Sequence, residues 1–131
     1  MAIQAEQATE DRGSIAVCLD TMLGYEGISR NCQYLMDHGQ HILSILQDNL
    51  PDAQILDLSG CSLDAILYYV NKDIPVMALM GDEAVLIIGY NDSQIVLMDP
   101  QSESLYKKNI TEAASWFTQN RAIFLSYLKD Q

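Results

Sequence analysis

The sequence predicts an α+β fold in which helices of the N-terminal half pack on a mainly antiparallel sheet. Apolar residues recur at helical spacing up to Asn49, and short β-like apolar runs dominate from residue 76 onward. The turn at residues 91–93 separates two of these runs, which is typical of an antiparallel hairpin. No repeat or linker divides the chain. We therefore expect one domain, residues 14–131, after an extended N-terminal segment, residues 1–13.

Three helices are predicted in the first half. The first begins at Ser14 and ends between Gly24 and Gly27. Two further helices are expected at residues 31–37 and 41–49. The first helix carries a stripe of apolar residues that predicts a buried face: Ile15, Cys18, Leu19, Met22 and Leu23.

The second half is predicted to contain six strands and two helices. Ser62 is expected to cap a helix at residues 63–70, and Thr111 is expected to cap the last helix, which runs through Phe117. Apolar and β-branched runs predict the strands, at residues 53–58, 76–80, 84–90, 94–98, 107–110 and 122–128.

The charge balance excludes two classes of partner. Seven Lys and Arg residues stand against eighteen Asp and Glu residues, which gives a net charge of −11. A surface this acidic repels phosphate backbones and anionic lipid headgroups. No basic residue occurs between Arg30 and Lys72, so no local basic patch offsets the repulsion. We expect neither nucleic-acid binding nor membrane insertion; the oligomeric state is left open.

The sequence contains no recognisable targeting segment and no metal motif. The N-terminus lacks a basic leader followed by an apolar stretch, and no apolar run reaches the roughly 18 residues of a membrane span. The compartment is therefore left open. The three cysteines, Cys18, Cys32 and Cys61, are odd in number and lack metal-ligand spacing. At least one thiol is expected to be free, one disulfide stays open, and no metal or cofactor is expected.

Three phrases of the sequence follow one another in a characteristic order. SIAVCLDTMLGYEGI, residues 14–28, is a helix that ends in Tyr-x-Gly. DIPVMALMGDEAVLIIGYN, residues 73–91, has a Pro-Val strand followed by an apolar strand that ends in Gly-Tyr. QIVLMDP, residues 94–100, is a strand that ends in Asp-Pro. Together they resemble the C39-type branch of the papain-like cysteine peptidases, which implies a C39-like, papain-like fold from Ser14 to Leu128.

The resemblance also implies where a catalytic triad would lie. Such enzymes need a thiolate at a helix N-terminus, a His that holds the proton, and an acid that orients the His. In this sequence the nucleophile position falls on Ser14, the His position on Glu83 and the orienting acid on Asp99. Gln4 or Gln7 corresponds only loosely in spacing to the glutamine of the oxyanion hole.

The resemblance therefore implies a catalytically degenerate triad. A carboxylate at position 83, with an unperturbed pKa of about 4.3, is a weak base at neutral pH. The leading hypothesis is an inactive domain of a longer, bacterial protein that binds a peptide or protein segment in the former active-site cleft, between the first helix and the sheet.

An alternative function uses another thiol. Cys18 lies about one helical turn inside the first helix and would be the nucleophile of an active cysteine peptidase or thiol acyltransferase, with His38 or His41 as its base. Structural interpretations compete with these roles. Cys18 fits the buried stripe, the two histidines fit a solvated loop between helices, and Asp99 before Pro100 fits a turn. A purely structural domain with no ligand is the third option.

Overall fold

The computed structural model describes residue 1 and residues 3–129. This part of the chain contains five α-helices: α1 (Ser14–Tyr25), α2 (Cys32–Asp37), α3 (Ile42–Asn49), α4 (Leu63–Asn71) and α5 (Ile110–Gln119). It also contains six strands: β1 (Ala53–Asp57), β2 (Val76–Met80), β3 (Glu83–Tyr90), β4 (Gln94–Asp99), β5 (Ser104–Asn109) and β6 (Ile123–Lys129). Within the same residues, no helix combines the length and the hydropathy needed to cross a bilayer.

The six strands form one sheet in the order β1-β6-β2-β3-β4-β5. All neighbouring strands pair antiparallel. The predicted α+β fold, with helices packed on an antiparallel sheet, is therefore confirmed.

The sheet separates two apolar cores. Helices α1 to α3 cover one face, where Leu19 of α1 belongs to the same buried cluster as Leu86 of β3. Helices α4 and α5 cover the other face, where Phe117 clusters with Val85 and Ile87. Because both faces are covered, the central strand β3 is buried from residue 84 to residue 88 and its sequence is a continuous apolar run.

Side-chain caps decide where the later helices begin. Ser62 Oγ accepts a hydrogen bond from Ala65 N at 3.3 Å, so the predicted cap of α4 is confirmed. The predicted Thr111 cap is wrong, because Asn109 Oδ1 accepts from the backbone N of Thr111 at 2.9 Å and of Glu112 at 3.3 Å. Both residue types cap helices. Here β5 stays paired with β4 up to Asn109, and α5 starts at the next residue.

The N-terminal segment lies against the domain. Ile3 is 8% exposed, in the core on the α1 side of the sheet. Ala8 N donates to Pro100 O at 2.8 Å, just beyond the end of β4. The Arg12 guanidinium contacts the Asp20 carboxylate of α1 at 3.0 Å. The segment therefore crosses the end of β4 before the chain enters α1.

Gly24, in the last turn of α1, offers a stabilising substitution. It is exposed, and a Cβ added there meets no atom within 4 Å. Replacing Gly24 with alanine is expected to raise the free energy of unfolding by about 0.5–1 kcal/mol, because alanine reduces the conformational freedom of the unfolded chain. Urea denaturation measures the change. Gly27→Ala is the control: its φ of +80° is strained for alanine, so stability should fall. A gain in both variants, or in neither, would contradict this account.

Candidate functional site

Three segments meet at one end of the sheet, and they are the segments that carry the triad positions. Because β3 and β4 are antiparallel, β3 begins at the end where β4 terminates in Asp99. Helix α1 begins at the same end, because Ser14 Oγ accepts a hydrogen bond from Ala84 N at 2.9 Å. The structure thus brings together the chain regions of Ser14, Glu83 and Asp99.

Ser14 is an anchor between α1 and the sheet. Its side chain is 1% exposed, and its oxygen is engaged by a backbone N–H that lies 70 residues further along the chain. The preceding residue is held as well, since Gly13 N donates to Gln33 Oε1 of α2 at 3.0 Å. The start of α1 is therefore fixed from two sides, and the Ser14 hydroxyl is not presented to solvent.

The start of β3 places Ala84 towards α1. Ala84 and Leu86 belong to the core on the α1 side, whereas Val85 belongs to the core on the opposite side. Side chains alternate along a strand, so Glu83 shares the face of Val85. Glu83 itself is exposed. Its assignment to the His position of a triad stays a prediction.

At the start of β3, the residue that faces α1 is Ala84, which is one position beyond the residue that a count along the sequence reaches. Position 83 follows from counting back from Gly89-Tyr90, and the pairing of β3 with β4 shifts between Ile87 and Gly89. A bulge inserts one extra residue into a strand. The count back to position 83 therefore runs through an irregular part of the strand. The alternation of side chains along β3, which places Ala84 and Leu86 in the core on the α1 side, is the signal that identifies Ala84.

Asp99 is half-buried at the end of β4 and organises the turn that follows. Its Oδ1 accepts a hydrogen bond from Gln101 N at 2.9 Å. Burial, and then the Asp99 charge, raise the pKa of the Tyr106 hydroxyl on the neighbouring strand. The carboxylate therefore acts electrostatically on its surroundings while it serves a local turn.

Cys18 lies inside the core. The side chain is 0% exposed and belongs to the cluster on the α1 side of the sheet. Burial, and then the nearby Asp99 charge, raise the pKa of the Cys18 thiol far above its ordinary value. At neutral pH the group is a protonated, inaccessible thiol, whereas nucleophilic attack needs an accessible thiolate.

The two histidines serve local roles between α2 and α3. His38 is exposed, its ring stacks on Tyr34 at 4.0 Å between centroids, and its Nδ1 lies 2.8 Å from Tyr34 O. His41 is exposed and caps α3, accepting from Leu43 N at 3.3 Å. Each ring is thus oriented by a neighbour of its own helix, as expected for a solvated loop.

The remaining candidate groups are spread over the molecule. Cys32 is buried, Cys61 is exposed, and all three cysteines are free thiols, so the disulfide left open by the sequence is absent. Gln4 and Gln7 are both exposed on the N-terminal segment. Within residues 1 and 3–129, no group of three or more His, Cys, Asp or Glu side chains is arranged to hold a metal ion.

Two concavities follow the outer face of α1, with volumes of ≈ 350 Å³ and ≈ 430 Å³. They share Arg12, Asp20 and Gly24. Neither is lined by any of the three triad positions. Asp20 is the residue here that sequence reasoning missed: its carboxylate joins the N-terminal segment, through Arg12, to the start of α2, through Cys32 N at 2.9 Å.

Comparisons with known proteins agree with this architecture. The sequence matches no protein-family model and no curated protein. Among solved structures, the chain is similar to a crystal structure of a protein from Bacillus anthracis assigned to the C39-like peptidases. The TM-score is 0.77 at 16% sequence identity, over 100% of this chain and 95% of that chain.

The chain has the C39-like peptidase fold. The expectation drawn from the three phrases is therefore confirmed for the architecture. At this level of identity the likeness concerns the fold, and the function of a C39-like fold depends on the residues at its site.

Proposed function

We propose that this chain is a catalytically inactive domain of C39-like fold that binds a peptide or protein segment where α1 meets the sheet, as part of a longer protein. One observation carries the proposal: the Ser14 side chain is 1% exposed and its oxygen accepts the Ala84 N–H. A nucleophile must reach its substrate and pass its proton to a base. A buried oxygen held by the backbone is poorly placed for either step.

The surroundings of Ser14 also favour an inactive site. The β3 residue that faces α1 is Ala84, whose side chain cannot transfer a proton. Both histidines of the sequence, His38 and His41, are exposed in the connection between α2 and α3 and are engaged there. A hydroxyl nucleophile at position 14 would need a general base within hydrogen-bond reach.

The thiol alternative has little support from the geometry. A cysteine nucleophile needs solvent access and a lowered pKa. Cys18 has 0% exposure and a thiol pKa raised by burial and then by the Asp99 charge. These properties are those of a core cysteine.

The charge at this end of the sheet indicates the kind of segment it would hold. Asp82 in the turn between β2 and β3 and Glu83 at the start of β3 are both exposed. The end of β4 and the turn after it carry Asp99 and Glu103. Four carboxylates at one end of a chain with net charge −11 attract cations. We therefore expect the bound segment to be rich in Lys and Arg.

A selection experiment with a matched pair of variants tests the proposal. Peptides are selected from a random phage-displayed library on the wild-type protein, and their Kd values are then measured as synthetic peptides. Enriched peptides should be basic, and Asp82→Arg should raise their Kd by about tenfold or more. Asp92→Arg makes the same charge change at an exposed site beyond the other end of β3. This control should leave Kd within about twofold, since exposed charges more than about 10 Å apart are screened. Failure to enrich any peptide, or an equal increase in Kd for the two variants, would contradict the proposal.

A further inference from the structure

A second cavity lies on the other face of the sheet, away from the start of α1. It has a volume of ≈ 380 Å³ and is formed between the start of α4 and the end of α5. Its apolar floor includes Phe117 and Phe124, which are 3% and 7% exposed and pack edge to face with ring centroids 5.2 Å apart. Leu63 adds an aliphatic wall. Cavities of a few hundred Å³ with mostly apolar walls and few polar groups are typical small-molecule sites.

One charged residue lines this cavity, and its charge is positive. Arg121 follows α5 and is exposed. Among residues 1 and 3–129, Arg121 takes part in no ion pair, whereas Arg12 and Lys129 each pair with a carboxylate. Asp64 on α4 follows the lining residue Leu63 in sequence, but it is exposed and is not part of the lining. An arginine without an ion-pair partner among the described residues, on the wall of a cavity with an apolar floor, is therefore complementary to an anion with an apolar body.

The backbone at Arg121 bears on why an arginine is found there. Its φ is +52°, a conformation that favours glycine at the end of a helix. Arg121 N donates to Thr118 O at 3.1 Å and Ala122 N donates to Phe117 O at 2.9 Å, which closes α5 tightly. Glycine would meet the same geometry without strain. Asp73 and Glu103 also have a positive φ, but of these three residues only Arg121 lines the cavity.

We propose that this cavity binds a small carboxylic acid with an apolar or aromatic body, with the Arg121 guanidinium paired to the carboxylate and the body on Phe117 and Phe124. A neutral compound of the same shape keeps the apolar contacts and loses the charge-assisted hydrogen bonds, so it binds more weakly. This inference is independent of the proposed peptide site, which lies at the end of the sheet where α1 begins.

The probe is 3-phenylpropionate, and 3-phenylpropanamide is its neutral counterpart. Binding is followed by ¹H–¹⁵N chemical shifts and by the rate at which iodoacetamide modifies Cys61, an exposed thiol on the cavity wall. In the wild type the acid is expected to bind about tenfold or more tightly than the amide. It should slow Cys61 modification and shift resonances of residues 60–63 and 117–124.

Arg121→Gly tests the role of the positive charge without adding strain to the backbone. The variant removes the cation and relieves the left-handed backbone, so Tm should rise while the preference for the acid disappears. Glu103→Gly is the matched control: it relieves the same type of backbone, with φ +49°, and is not part of the cavity lining. Its Tm should also rise, with the acid preference unchanged. Arg121→Gln repeats the binding test if the glycine variant does not fold.

Several results would overturn the inference. These are equal binding of acid and amide to the wild type, no binding of either, shifts located away from the cavity, or an acid preference that survives in Arg121→Gly and Arg121→Gln.

Discussion

In the native protein, iodoacetamide is expected to modify Cys61 at least about 100-fold faster than Cys18. Cys61 is exposed in the turn before α4, whereas Cys18 is 0% exposed and its thiol pKa is raised by burial and then by Asp99. The reagent can reach Cys18 only when α1 detaches from the sheet, and that opening costs free energy. Cys32 is also 0% exposed and should be protected in the same way.

Intact mass spectrometry over a time course measures these rates. The wild type should gain one carbamidomethyl group quickly, and Cys61→Ser should gain none until urea unfolds the chain. Ser14→Cys, read in the Cys61→Ser background, extends the test to the start of α1. The introduced thiol should also be slow, because position 14 is 1% exposed. Rapid modification of Cys18 would instead favour the thiol enzyme, and rapid modification of the introduced thiol would mean that the start of α1 is open to substrates.

Replacing Asp20 with alanine is expected to lower the free energy of unfolding by about 2–4 kcal/mol. The carboxylate is 13% exposed and accepts from the Arg12 guanidinium at 3.0 Å and from Cys32 N at 2.9 Å. Its removal leaves a guanidinium and a backbone N–H without their acceptor, and it releases the N-terminal segment and the start of α2 from α1. Because the Arg12 side chain is 35% exposed, water recovers part of the loss.

Urea denaturation of three variants checks the Asp20 prediction. Asp20→Asn keeps an acceptor for Cys32 N and loses the charge, so its loss should be intermediate. Asp11→Ala removes an exposed aspartate beside Arg12 and should change stability by no more than about 0.5 kcal/mol. If Asp20→Ala is no less stable than Asp11→Ala, then Asp20 does not link the segments as the geometry indicates.

Local chemistry explains which elements could be predicted from the sequence. Residues 76–80 match β2, because a short apolar run bounded by Pro75 and Gly81 has few other structures open to it. The cap of α4 follows from Ser62 alone, since its own side chain makes the bond. The start of α5 could not be read in this way. Asn109 and Thr111 are both capable caps, and the pairing of β5 with β4 decided between them.

The candidate site, too, could be predicted from the sequence only in part. The order of the three phrases was enough to predict a C39-like fold, because it records the order of helix and strands along the chain. The residue types at positions 14, 83 and 99 are also plain in the sequence. What each of them faces is not, because it depends on which elements cover each face of the sheet: Ala84 lies in the core on the α1 side, and Glu83 shares the opposite face with Val85.

The sequence by itself determined the class of fold, the acidic charge and the absence of a His-Cys pair at the expected triad positions. Only the tertiary structure decided that the Ser14 oxygen accepts the Ala84 N–H and that burial and then the Asp99 charge raise the thiol pKa of Cys18. The physical reason is that accessibility and thiol pKa depend on what packs against a group from distant parts of the chain. Those partners, Ala84 and Asp99, lie 70 and 81 residues away from Ser14 and Cys18 in the sequence.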